Sequence, residues 1–249
     1  MIEELKLSTL ANKFELTSGI DSLEHCPVKE HFLNFPDQVS YQYNSMGYRD
    51  AEWPEKLTNQ IWCIGDSSTL GLGQPYNETW PKYLEQKLQK RTINISMNGA
   101  SNDWIARRAS YILQNLKPKA ILILWSYLHR RENSNSKLLD EERIMHFDVN
   151  DSKDLENFSN NLNIVNTNKK NVTIVHSLIP NACSIEYLDY YGYSRKKEPR
   201  LTSTSVYEMF RHNKFKFFEA VERIDRARDA HHYGRATADI VAEKYYNLL

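Results

Sequence analysis

Four short apolar runs punctuate this chain: Ile61–Ile64 (IWCI), Ile93–Ser96 (INIS), Ala120–Trp125 (AILILW) and Val172–Val175 (VTIV). Runs this short are strands rather than helices, and the unbroken AILILW is what a strand covered on both faces requires. Helical patterns separate them. Thr79 and Pro81 start one in which Trp80, Leu84 and Leu88 recur every fourth residue, and the NGAS loop leads into another that places Trp104, Ile105, Ala109, Ile112, Leu113 and Leu116 on one face. Strands alternating with helices predict an α/β fold with right-handed crossovers and a mostly parallel sheet, whose ligands sit beyond the carboxyl ends of the strands.

The rest of the chain is read from weaker signals. A helix is expected from Ser152 to Leu162, a polar connection at Asn157 to Asn171, helical spacing from Val206 to Ile224, and a closing helix from Gly234 to Leu249 that packs through Ala236, Ile240, Ala242 and Tyr245. Residues 1–58 are irregular, with a short strand pair around Val39 to Tyr43 before the turn-like NSMGYRD. They read as an extension packed on a main domain of residues 59–249, a length that suits one large α/β unit.

Lys plus Arg and Asp plus Glu balance at 32 each, so no net field selects a nucleic acid or an anionic membrane as partner. The basic cluster Arg195–Arg200 (RKKEPR) reads as a solvated loop. No apolar stretch approaches the roughly 20 residues of a membrane span, and the opening MIEELKLSTLANKFEL has acids where a signal peptide has bases, so a cytoplasmic protein is expected. Cys26, Cys63 and Cys183 are odd in number and lack CxxC spacing, which supports neither a disulfide framework nor a cysteine metal site.

The chemistry concentrates in two places. Gly65-Asp66-Ser67 follows the first strand, where a tight turn exposes a hydroxyl and leaves backbone N–H groups free to receive an oxyanion. Near the C terminus, Asp229-Ala230-His231-His232-Tyr233-Gly234 puts an acid three residues before a histidine. In a loop that acid reaches the ring Nδ1–H and turns Nε2 outward to serve as a base. Ser67, His232 and Asp229 are the expected nucleophile, base and orienter.

These residues resemble the blocks of SGNH (GDSL-like) hydrolases: GDSSTLGLG the nucleophile block, NGASND (Asn98–Asp103) the second, DAHHYG the last, with Tyr233 where proline is common. NSMGYRD (Asn44–Asp50) is similar to a segment found ahead of the hydrolase domain in some members. The resemblance implies a three-layer α/β/α fold with a flavodoxin-like sheet and a serine ester hydrolase without cofactor or metal. It also implies an oxyanion hole from the N–H groups of Ser67 and of Gly99 or Asn102. The family's third block, GxND, is absent: Trp125 to Asn133 stands there, with Tyr127 at the asparagine position. Ser126, Tyr127, Arg130 or Asn133 are the available replacements, and Tyr76, Trp104 and Tyr127 would suit a sugar. The expected substrate is a small-molecule or carbohydrate acyl ester, acetyl or another short chain.

Competing chemistry is weaker. GDSSTLGLG lacks the GK[ST] ending of a phosphate loop. A metal site at Asp229, His231 and His232 needs further ligands that the scattered His129, His146 and His176 do not supply, although His176 follows a strand end. No carboxylate pair is singled out for glycoside hydrolysis. The strongest rival is a binding or scaffolding module that keeps the fold, suggested by the missing GxND and by 15 tyrosines and 5 tryptophans.

Overall fold

The computed structural model of this protein describes residues 2–132, 151–168, 171–180, 182 and 203–249. Asn133, His146, Cys183 and the RKKEPR cluster lie outside the described residues.

The apolar runs become the centre of a parallel sheet. β3 (Ile61–Gly65), β4 (Thr92–Ser96), β5 (Ala120–Trp125), β6 (Thr173–Leu178) and β7 (Lys216–Phe217) pair in the order β4-β3-β5-β6-β7. This is the doubly wound, flavodoxin-like arrangement with its topological switch beside β3. Ile61 to Gly65 lie opposite Thr92 to Ser96 on one side and Ala120 to Leu124 on the other. Every residue of β3, β4 and β5 is buried. Each fully buried Ile or Leu there contributes about 1.5–3 kcal/mol of transfer free energy.

Helices cover the sheet as the apolar stripes require. α3 (Trp80–Leu88) packs against α7 (Arg235–Tyr246), with Trp80 stacked on Tyr245 at 4.6 Å. α4 (Asn102–Asn115) packs against α5 (Asp151–Asn168). α6 (Ser203–His212) buries Val206, Tyr207 and Phe210.

Four sequence expectations are corrected. The closing helix buries Ala238, Val241, Ala242 and Tyr245, whereas Ala236 is exposed and Ile240 half-buried. The polar stretch from Asn157 is helical to Asn168, because Phe158, Leu162 and Val165 form a buried stripe beneath its asparagines. Helical spacing from Val206 breaks at His212, and Lys216–Phe217 instead adds a two-residue edge strand to β6. The strand near Tyr41 pairs not within Val39–Tyr43 but with distant chain: β2 (Tyr41–Gln42) lies antiparallel to β1 (Phe14–Glu15). α1 (Lys29–Leu33) sits between β1 and β2 in the chain.

Residues before β3 penetrate the same core. Leu5, Leu7 and Tyr48 are completely buried among the main apolar cluster. Arg49, 1% exposed, donates to the carbonyls of Ser40, Leu70, Gly71 and Gln74. Leu70 and Gly71 end α2 (Ser67–Leu70), so this guanidinium satisfies carbonyls that a helix terminus leaves without partners. Burial lowers the Arg49 pKa, against the opposing pull of Tyr41 and Tyr43.

Candidate active site

β3 ends at Gly65, a position where nothing larger fits: a Cβ there would meet the Thr69 side chain and come within 2.8 Å of the Leu124 carbonyl on the neighbouring strand. The chain then turns directly into α2. Asp66 is its N-cap, one carboxylate oxygen accepting from the Ser68 N–H at 2.9 Å. The other oxygen accepts from Ser126 Oγ at 2.6 Å and Arg130 Nη1 at 3.0 Å. Asp66 is fully buried, so this cation and hydroxyl offset the cost of taking its charge out of water. The result places Ser67 on the first turn of α2, at the carboxyl end of the central strand.

The segment between Asp225 and Gly234 shapes itself by local hydrogen bonds. Arg226 and Tyr233 form an antiparallel bridge, and Ala227 N–H donates to the His232 carbonyl. Ala230 takes a left-handed conformation at φ 58°, which tightens the turn at the tip. One Asp229 oxygen accepts the N–H groups of His231 and His232, both at 2.9 Å. Its second oxygen is thereby aimed at His232 Nδ1, 2.5 Å away. Burial would raise the Asp229 pKa. The His232 charge, the ring hydrogen bond and the two N–H donors outweigh that, so the carboxyl is held below the ordinary range.

The two loops meet. His232 Nε2 lies 2.8 Å from Ser67 Oγ. With Asp229 ionised, Nδ1 carries the proton and donates to it, leaving Nε2 to accept from the Ser67 hydroxyl. Asp229 is completely buried and Ser67 is 3% exposed. His231 does not join the row; its ring stands at 80° to that of His232, with centroids 5.3 Å apart. Burial, reinforced by His232, lowers the His231 pKa to about 4, so this ring is neutral near pH 7.

Neither Ser67 N–H nor Gly99 N–H donates to another atom among the described residues. Asn102 is corrected: its N–H donates to the Arg130 carbonyl at 3.1 Å, and its side chain joins Tyr127 O to Ser126 N–H. That fully buried asparagine organises the β5 exit loop instead of offering a backbone donor.

The remaining candidates divide by burial. Trp104 is completely buried with Arg108 over its ring, so it lines no cleft. The Tyr76 hydroxyl donates to Asp50 and accepts from the Ala51 N–H, which occupies it in structural contacts. His176 lies within β6, where its Nδ1 accepts from the indole N–H of Trp125. Ser126 is buried against Asp66. Tyr127 is half-buried, its ring 4.8 Å from the Arg130 guanidinium. Among the described residues, no group of three or more His, Cys, Asp or Glu side chains could hold a metal ion.

Residues of the N-terminal segment at this site carry no local sequence signal. Cys26 Sγ donates to the Asp229 carbonyl at 3.3 Å, and a His31 ring nitrogen lies 2.8 Å from the Ala227 carbonyl. Partners some 200 positions apart give no periodicity to find.

No family model and no curated protein matches the chain. Solved structures do. A carbohydrate acetylesterase family member from Sinorhizobium meliloti superposes with TM-score 0.52 at 13% identity, covering 76% of this chain and 96% of its own. A member of the lipolytic protein G-D-S-L family from Veillonella parvula gives 0.51 at 10% identity, covering 77% and 98%. A family two carbohydrate esterase from Clostridium thermocellum, in complex with cellohexaose, gives 0.50 at 15% identity over 79% of this chain, which spans 65% of that larger protein. The chain has the SGNH hydrolase fold.

Proposed function

We propose that this protein is a serine ester hydrolase in which Ser67, His232 and Asp229 form a catalytic triad. The observation that carries the reading is the row of two short contacts, 2.8 Å from Ser67 Oγ to His232 Nε2 and 2.5 Å from His232 Nδ1 to Asp229. A serine at a strand end, a base within hydrogen-bond reach and a buried acid behind the base are the parts nucleophilic acyl transfer needs.

His232 removes the Ser67 proton as Oγ bonds to the ester carbonyl carbon, and Asp229 stabilises the imidazolium. The N–H groups of Ser67 and Gly99 receive the tetrahedral oxyanion. As it collapses, His232 returns the proton to the departing alcohol, leaving an acyl-enzyme. Water, deprotonated by His232, then attacks the same carbon and releases the acid with Ser67 restored. Asp66 acts on the turn and not on the substrate, since both its oxygens are engaged.

An acetyl or other short acyl ester of a carbohydrate or small molecule fits this reading. The Clostridium thermocellum esterase bound to cellohexaose and the Sinorhizobium meliloti acetylesterase family member support the carbohydrate class. The deciding experiment is incubation with a fluorophosphonate followed by peptide mapping. Phosphonylation at Ser67, absent in Ser67→Ala, is expected; an unlabelled folded protein would favour a binding module instead.

A further inference from the structure

The N-terminal segment closes a ring of hydrogen bonds through both loops of the site. Arg228, which directly precedes Asp229, meets Asp21 with Nε 2.9 Å from one oxygen and Nη2 2.7 Å from the other. The Tyr41 hydroxyl donates to that second oxygen and accepts from the Gly73 N–H at 2.8 Å. The Gly73 carbonyl accepts from the Arg228 N–H at 2.9 Å, which completes the circuit.

Each contact ties a different part of the chain. Asp21 and Tyr41 come from the N-terminal segment, Gly73 from the loop after the α2 that carries Ser67, and Arg228 from the turn that carries Asp229 and His232. Gly73 sits at φ 75°, and a Cβ there would come within 2.9 Å of Ala227 and 3.1 Å of the Asp229 N–H nitrogen. The loops therefore touch backbone to backbone. Asp21 and Tyr41 are completely buried, and the Arg228 side chain is only 13% exposed, so these bonds are largely shielded from water. The guanidinium also lies 4.7 Å from the Phe32 ring and donates to the carbonyl of Leu16.

We propose that Asp21, Tyr41 and Arg228 are positioning residues that hold the nucleophile loop and the acid–base turn in register, so that the N-terminal segment sets the reactivity of Ser67 without touching substrate. A carboxylate spanned by a planar guanidinium fixes direction as well as distance, which a single ammonium contact does not. The consequence for rate rests on the triad reading above; the consequence for the order of the turn does not.

The test uses the full chain and the variants Asp21→Asn and Tyr41→Phe. Fluorophosphonate labelling of Ser67, kcat and KM for p-nitrophenyl acetate, and amide hydrogen exchange are measured in parallel. Misplacing reacting groups by about 1 Å costs on the order of 10²-fold. Asp21→Asn is therefore expected to slow labelling and kcat by roughly 10- to 100-fold, with KM changed less than about two-fold. Exchange should accelerate in residues 226–233 while the β3 and β5 amides stay protected. Tyr41→Phe, which keeps the ion pair, should fall between Asp21→Asn and wild type.

Unchanged exchange in the turn overturns the proposal, as does acceleration spread evenly over the whole chain. Faster exchange in the turn with unaltered labelling overturns it as well. If the wild type itself is not labelled, the hydrolase reading fails, and the exchange comparison still decides whether the ring orders the turn. Should Asp21→Asn not fold, Arg228→Lys, which keeps the charge but cannot span both oxygens, carries the same measurements.

Discussion

The hydroxyl of Tyr233 donates to the carbonyl of Ser68 at 2.9 Å, joining the residue after the expected base to the residue after the expected nucleophile. Tyr233 stands where the resembling family commonly has proline, and a proline could not make this bond. Burial raises its pKa well above that of an ordinary tyrosine, with the nearby Asp66 charge adding to the effect, so it remains a neutral donor. Tyr233→Phe removes one buried hydrogen bond and nothing else of the ring's packing. A loss of about 1 kcal/mol is expected, which for a chain of this size lowers Tm by about 2–4 °C. Calorimetry showing no change would mean that the bond does not hold the loops together.

Substitutions within the Ser–His–Asp row should act as a unit. Ser67→Ala and His232→Ala are each expected to lower kcat for an acetyl ester by on the order of 10³-fold or more while folding persists. His231→Ala is expected to lose less than about ten-fold, because its ring lies outside the row. Steady-state kinetics with circular dichroism decide this, and an essential His231 with a dispensable His232 would overturn the assignment.

Acid should destabilise the protein in two separate windows. His231 has a folded pKa of about 4 against an ordinary 6.5, so as pH falls from 6.5 the unfolded chain binds the proton first and stability declines down to about pH 4. Asp229 is held below its ordinary 3.8. Its contribution is complete above 3.8 and is lost only as pH drops further, through the folded value. Denaturant titrations of wild type and His231→Gln between pH 7 and pH 4 check the first window. The variant should show the flatter profile; parallel curves would remove His231 from the account.

Gly65→Ala should be severely destabilising. The added methyl meets the Leu124 carbonyl at 2.8 Å, and that carbonyl belongs to the central sheet, which cannot yield without breaking pairing. Overpacking of this kind costs about 1–3 kcal/mol or more. Loss of soluble expression or a Tm drop of several degrees is expected, whereas wild-type stability would show that β3 and β5 can separate locally.

Much of the frame was readable from residue order because its signals are local. The runs IWCI, INIS and AILILW coincide with buried strands, and Trp80, Leu84 and Leu88 mark one helix. A helix was also legible over Ser152 to Leu162, but its continuation through the buried Val165 to Asn168 was masked by the surrounding asparagines. Lys216–Phe217 gave no cue, since two residues cannot display a period. At the site, the residue types of Ser67, Asp229 and His232 were legible. The engagement of the Asn102 N–H by Arg130 was not, because a carbonyl's direction depends on how the β5 exit loop is folded.

Sequence by itself determined the alternation of buried strands and amphipathic helices, and the short turn in which Asp229 grips His232 three residues on. Both follow from forces acting within a few residues: side-chain periodicity and a carboxylate accepting nearby N–H groups. Tertiary structure alone decided that Ser67 meets His232 across 165 positions, and that Asp21 meets Arg228 across 207. No local preference encodes such pairs. They form when packing of the sheet and its N-terminal segment brings distant loops to one edge and excludes the water that would otherwise compete for their hydrogen bonds.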